Sequence, residues 1–199
     1  MFRIATFNLE NLDGDSLDQN GQPVRPTLAE RAAALRPVLD RMRADILCLQ
    51  EAHGQETPGA PRDLLALKSV LSATRYAGYT LVSTMTESAP KQVYDQRNLV
   101  VAVRPDIAVT AVRQINGEIV PNPVYQRVIA GDPAPKKQGW ERPLLHVTLA
   151  LPGGLVLHVL NAHFKSKLAV PADTLMVDGS TWTSAAGWAE GFFVSSIKR

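Results

Sequence analysis

Apolar and polar positions alternate from the first residues, where "FRIATFNLE" reads as a strand with a polar tip. Residues 14–26 are rich in Asp, Gln, Asn, Gly and Pro and read as a loop. Thr27 with Glu30 three residues on makes a capping box, which predicts a helix start. Leu28, Ala32, Leu35, Leu39 and Met42 then recur at steps of three and four and give one apolar stripe. Pro37 interrupts the stripe and predicts a kink or a split. Next come Ile46, Leu47, Cys48 and Leu49, an unbroken apolar run expected of a strand buried on both faces. That run ends abruptly in Gln50 and Glu51, with His53 close behind.

Asp63 suits the N-cap of a short second helix carrying Leu64, Leu67 and Leu71. Strands are expected at 79–83, 99–103 and 107–112, and an irregular Pro-rich loop over 120–139. Residues 144–151, the turn Pro152-Gly153-Gly154 and residues 155–160 read as a β-hairpin. Residues 168–191 are small and polar and read as a long loop, with a helix starting at Phe192. Strand–helix–strand order in the first fifty residues places the chain in the α/β class. The length, 199 residues, favours one domain spanning 1–199.

Composition narrows the partners. The chain is 45% hydrophobic and 20% charged, ordinary for a globular domain, and its net charge of +2 is too small to argue for nucleic acid or a membrane surface. A single cysteine, Cys48, excludes an intramolecular disulfide framework, favours a reducing compartment and reads as an inert buried thiol. No apolar run is long enough to span a bilayer, and the start is not a signal peptide, so the expected location is cytoplasmic. No protein partner is evident.

Three apolar strands share a polar ending. The first leads into Asn8, Glu10 and Asn11, the second into Gln50 and Glu51, and "VLHVLNAHFKSK" into Asn161, His163, Lys165 and Lys167. Period two puts Leu157, Val159, Asn161 and His163 on one face. Taken singly, each residue has an ordinary reading as a turn former or first solvated side chain. Together they would bring one carboxylate, two amides and an imidazole to one cleft, the usual place for an α/β active site. A carboxylate with amide neighbours suits a hard cation such as Mg²⁺, and Lys165, Arg97 and Arg142 suit phosphate. That set points to metal-assisted phosphoester cleavage.

At these residues the chain resembles the endonuclease/exonuclease/phosphatase superfamily, through "IATFNLENL", "ADILCLQE", "RNLVVAV", "ERPLLHVTL" and "VLNAHFKSK" in the family's order. The resemblance implies a four-layer α/β/β/α sandwich of the DNase I-like type. It makes Glu51 the metal ligand, with Asn8 beside metal and scissile phosphate. Asn161 and His163 match the family's N-x-H, whose His stabilises or protonates phosphoryl oxygens. Arg97, Asn98 and Arg142 match positions that orient substrate phosphate, and Lys165 a position that is often basic. His53 receives no role.

The family's Gly-Asp-x-Asn and Ser-Asp-His motifs do not occur after His163, so the resemblance implies an incomplete domain. The 199 residues alone are then expected to hydrolyse little, and apolar faces of residues 144–160 to lie open. The expected function of the intact protein is a Mg²⁺- or Mn²⁺-dependent phosphoesterase, with nuclease or phosphodiesterase first. A lipid or inositol-phosphate phosphatase is the alternative within the class. A non-catalytic binding domain that keeps the scaffold is the alternative outside it.

Overall fold

The computed structural model describes residues 2–117, 119–139, 142–164 and 168–198. The chain is mixed α/β with several sheets, in two compact units. The first runs to Gln114 and adds Leu144–Ala162; the second is Ile115–Pro143 with the residues from His163 onward.

The first unit begins with β1 (Ile4–Leu12), α1 (Leu28–Met42) and β2 (Ile46–Ala52). Thr27 caps α1 as its spacing predicts: its hydroxyl accepts the Glu30 N–H, and the Glu30 carboxylate accepts the Thr27 N–H at 2.8 Å. Pro37 lies inside α1 without splitting it. Leu39 is fully buried, and the neighbouring Arg36 guanidinium donates to the carbonyls of Val70 (3.2 Å) and Ser69 (3.0 Å), so tertiary contacts hold the helix through the missing N–H.

A small hairpin, β3 (Gln55–Thr57) and β4 (Ala60–Asp63), precedes α2 (Leu65–Ser72). Asp63 is therefore a strand residue, and Leu64 holds the N-cap position of α2 with no side-chain cap. The hairpin went unpredicted because three- and four-residue strands carry too little alternation. Then follow β5 (Thr80–Ser83), β6 (Asn98–Val103), β7 (Ala108–Ile115), β8 (Val124–Tyr125), β9 (Lys136–Lys137), β10 (Leu144–Ala150) and β11 (Val156–Asn161).

The larger sheet has the order β1-β2-β6-β5, with β1 and β2 parallel and the other pairs antiparallel. The second has the order β11-β10-β7, its hairpin antiparallel as expected. Strand β2 is buried on both faces. Leu47 and Leu49 join Leu39, Leu67 and Val70 under the helices, whereas Ile46 and Cys48 join Val101, Val147 and Val159 between the sheets. The first unit thus stacks helices, sheet and sheet. Complete burial of each such Leu or Val contributes about 1.5–3 kcal/mol. Residues Leu145, Val147 and Leu149 are fully covered, so the open apolar face expected over residues 144–160 is met only in part. What lies exposed is Leu155, Val156 and Leu160, at or beside the edge strand β11.

In the second unit, α3 (Ala185–Ile197) starts seven residues before the expected Phe192, with the Ser184 hydroxyl accepting the Gly187 N–H at 3.1 Å. Glu190 on α3 is buried. Its carboxylate accepts N–H groups of Val128 (2.6 Å), Ile129 (3.1 Å) and Ala130 (2.9 Å) and the Tyr125 hydroxyl (3.3 Å). Burial acts to raise its pKa, but the three backbone donors and Tyr125 outweigh it and hold the carboxyl below its usual range. The expected loop over 120–139 contains β8 and β9, paired as a short ladder.

Candidate active site at the tip of β2

Parallel pairing brings the C-terminal ends of β1 and β2 to the same edge, with Asn8 opposite Gln50. There the register breaks. Strand β1 advances four residues, Asn8 to Leu12, while β2 advances two, Gln50 to Ala52. On the other side β2 advances three residues, Leu49 to Ala52, against two on β6. Such bulges re-aim side chains, and Glu51 sits in this one.

The backbone around it is strained. Among described residues other than glycine, positive φ occurs at Glu10 (52°), Asn11 (54°), Glu51 (61°), Arg97 (57°) and Arg43 (47°). Arg43 closes the end of α1; the other four border this edge. Left-handed backbone costs a non-glycine residue roughly 1–2 kcal/mol, somewhat less for Asn.

Side chains hold the strained turn in place. The Arg31 guanidinium, on α1, donates to the carbonyls of Leu9 (2.6 Å), Glu10 (2.7 Å) and Asn11 (3.0 Å). Asn8 Oδ1 accepts the Glu10 N–H at 2.7 Å. Glu51 Oε2 accepts the Asn11 N–H at 3.1 Å. Asn11 Oδ1 receives Arg97 Nε at 3.2 Å and lies 3.3 Å from His53 Nε2. The other ring nitrogen of His53 faces the Asp13 carboxylate at 3.1 Å, and Gln55 donates to Asp13 at 2.8 Å. Burial acts to raise the Asp13 pKa, but hydrogen bonds from Gln55, the Gly14 N–H and His53 prevail and keep the carboxyl below its usual range.

Beneath the bulge, two buried amides act as staples. Asn161 Nδ2 donates to the carbonyls of Leu49 and Val100, both at 3.0 Å, and its Oδ1 accepts Gln50 Nε2 at 2.8 Å. Asn98 donates to Ala52 (3.0 Å) and Tyr94 (2.7 Å) carbonyls and accepts the Tyr94 N–H (2.8 Å) and the Thr84 hydroxyl (3.2 Å). Their exposures are 3% and 0%, so both amides support the bulge from within and do not present themselves at the surface.

The structure therefore brings Asn8, Glu51 and Arg97 to one edge, with Asn98 and Asn161 under it. Arg142 and His163 belong to the second unit, where Arg142 Nη1 approaches His163 Nδ1 at 3.2 Å. A guanidinium only donates, so this contact is a hydrogen bond when Nδ1 is the acceptor. Lys165 lies outside the described residues. Arg31, Asn11, Asp13 and His53 carried no assigned role in the sequence. The preference of Asn for left-handed backbone was the one local signal, at Asn11.

As a metal site, this edge offers the Glu51 carboxylate with the Asn8 amide oxygen near the same turn. Among the described residues no three His, Cys, Asp or Glu side chains converge to hold a metal. A single carboxylate completed by solvent and substrate oxygens fits Mg²⁺ or Mn²⁺, which retain most of their water. A scan against protein-family models gave no match, and neither did a search of curated proteins.

Proposed function

We propose that this chain carries the metal-binding edge of a Mg²⁺- or Mn²⁺-dependent phosphoester hydrolase of the endonuclease/exonuclease/phosphatase type, in which water displaces an alcohol from phosphorus. The observation that carries this reading is the clustering of left-handed residues at Glu10, Asn11, Glu51 and Arg97. Folding stability gains nothing from that strain, and strain of this kind collects at working sites. Support comes also from the ordered motifs running from "IATFNLENL" to "VLNAHFKSK".

Glu51 and Asn8 hold the cation, which when bound polarises a phosphoryl oxygen. Arg97 steadies Asn11, whose N–H fixes one carboxylate oxygen of Glu51. Within the second unit Arg142 holds the His163 ring through Nδ1, the pair to which the resemblance gives a role on phosphoryl oxygen. Incubating the chain with bis-p-nitrophenyl phosphate, plasmid DNA, sphingomyelin and inositol phosphates in Mn²⁺ ranks the substrate classes. These 199 residues are expected to turn over little of any of them, and whatever hydrolysis they show should vanish in Glu51→Gln. Turnover that survives both Glu51→Gln and chelation of the metal would overturn the reading.

A further inference from the structure

Strands β10 and β11 alternate strictly. Their inward residues Leu145, Val147, Leu149 and Val159 are core, and their other face carries His146, Thr148 and Ala150 opposite Leu160, His158 and Val156. Nothing in the packing calls for two histidines on that face, yet two of the chain's four stand there as diagonal neighbours. His146 Nε2 lies 3.1 Å from His158 Nδ1, with ring centroids 5.3 Å apart and planes inclined at 37°. The Thr148 hydroxyl lies 3.3 Å from the same His158 nitrogen.

The geometry points to a second metal site here, a two-imidazole site for a borderline divalent transition-metal ion such as Zn²⁺, Ni²⁺ or Cu²⁺. Metal–nitrogen bonds of about 2.0–2.1 Å place two ligating nitrogens roughly 3.3 Å apart at a tetrahedral angle and roughly 2.9 Å apart at a right angle. The observed 3.1 Å falls between these spans. The hydrogen bond that now joins the rings is replaced by two metal–nitrogen bonds: the donating ring gives up the proton on its bridging nitrogen and takes one up on its other nitrogen by exchange with water, while the accepting ring keeps its own. The pair loses no net proton. Water completes the shell, and the Thr148 hydroxyl is placed to hydrogen-bond it. Imidazole is a borderline ligand and Glu51 a hard one, so the two sites select different ions.

The full chain is titrated with Zn²⁺ and Ni²⁺ by calorimetry in excess Mg²⁺, which occupies the hard-cation site and separates this test from the Glu51 reading. The same titration is run on His146→Gln, His158→Gln and, as a control, His53→Gln. Saturable binding should persist in Mg²⁺ and in His53→Gln and disappear in either of the other two. Binding that survives both His146→Gln and His158→Gln, or no saturable binding in the wild-type chain, overturns the site. Should a variant fail to fold, Cu²⁺ broadening of histidine ring signals in the wild-type NMR spectrum decides. The His146 and His158 signals must broaden first, and earlier broadening at His53 or His163 overturns the assignment.

Discussion

Truncating Asn161 to Ala removes an amide that joins β11 to β2 and β6 beneath the bulge. Three hydrogen bonds disappear: Nδ2 to the Leu49 and Val100 carbonyls, and Oδ1 from Gln50 Nε2. Leu49 and Val100 are the last register pair before β2 bulges, so the loss falls where the ladder already weakens. Each buried hydrogen bond contributes about 1 kcal/mol net, so Asn161→Ala should cost roughly 2–4 kcal/mol. Gln50 keeps the Thr6 hydroxyl (3.0 Å) and the Cys48 carbonyl (3.3 Å) as partners for Nε2, which limits the damage on its side. Urea unfolding followed by far-ultraviolet circular dichroism measures the change, with the slope expected to stay constant while the midpoint falls. A loss below about 1 kcal/mol would refute the reasoning, because no buried amide with three partners should be dispensable.

Other perturbations test neighbouring parts. A Cβ on Gly54 would meet the Tyr94 carbonyl at 2.5 Å and Val93 Cγ2 at 2.7 Å, so Gly54→Ala should lower stability by about 1–3 kcal/mol in the same urea assay. Arg31→Gln releases the carbonyls of Leu9, Glu10 and Asn11 and should weaken Mn²⁺ binding about 10- to 100-fold, as support residues of metal ligands do. An unchanged affinity measured by calorimetry would separate Arg31 from the site. Burial pushes the Cys48 thiol up to about 11 from 9.0, so the folded chain holds that proton more tightly than the unfolded one. Its contribution is whole below pH 9 and is lost towards pH 11, by roughly 2–3 kcal/mol relative to Cys48→Ala, whose stability curve lacks this step.

Local pattern was enough wherever local forces decide the outcome. The capping box at Thr27 and Glu30, the doubly buried run from Ile46 to Leu49 and the hairpin around Pro152 all depend on neighbours in sequence. Helix α3 was hidden because Gly187 and Gly191 read as loop. Gly191 serves packing instead, since a Cβ there would meet the Val170 carbonyl and the Trp182 ring at 2.7 Å. The candidate site was half legible. Glu51 and Asn8 stood out at strand tips, but the bulge did not, because Glu10, Glu51 and Arg97 are unremarkable choices for extended backbone. Their left-handed conformations lie beside bonds made from far along the chain, from Arg31 to the Glu10 carbonyl and from Asn98 and Asn161 to the Ala52 and Leu49 carbonyls that flank Glu51. Periodicity put Asn161 on the inward face correctly, yet could not tell a staple beneath the site from a group inside it.

Mn²⁺ binding, read from the electron paramagnetic resonance signal of the free ion, tests the role of Glu51 most directly. The wild-type chain should take up Mn²⁺ saturably and release it to competing Mg²⁺. Glu51→Gln keeps the shape of the side chain and an oxygen for the Asn11 N–H, so it should unfold at nearly the wild-type urea concentration. It should also leave the Mn²⁺ signal undiminished. Uptake of Mn²⁺ by Glu51→Gln with wild-type affinity would contradict the assignment of Glu51 as the metal ligand.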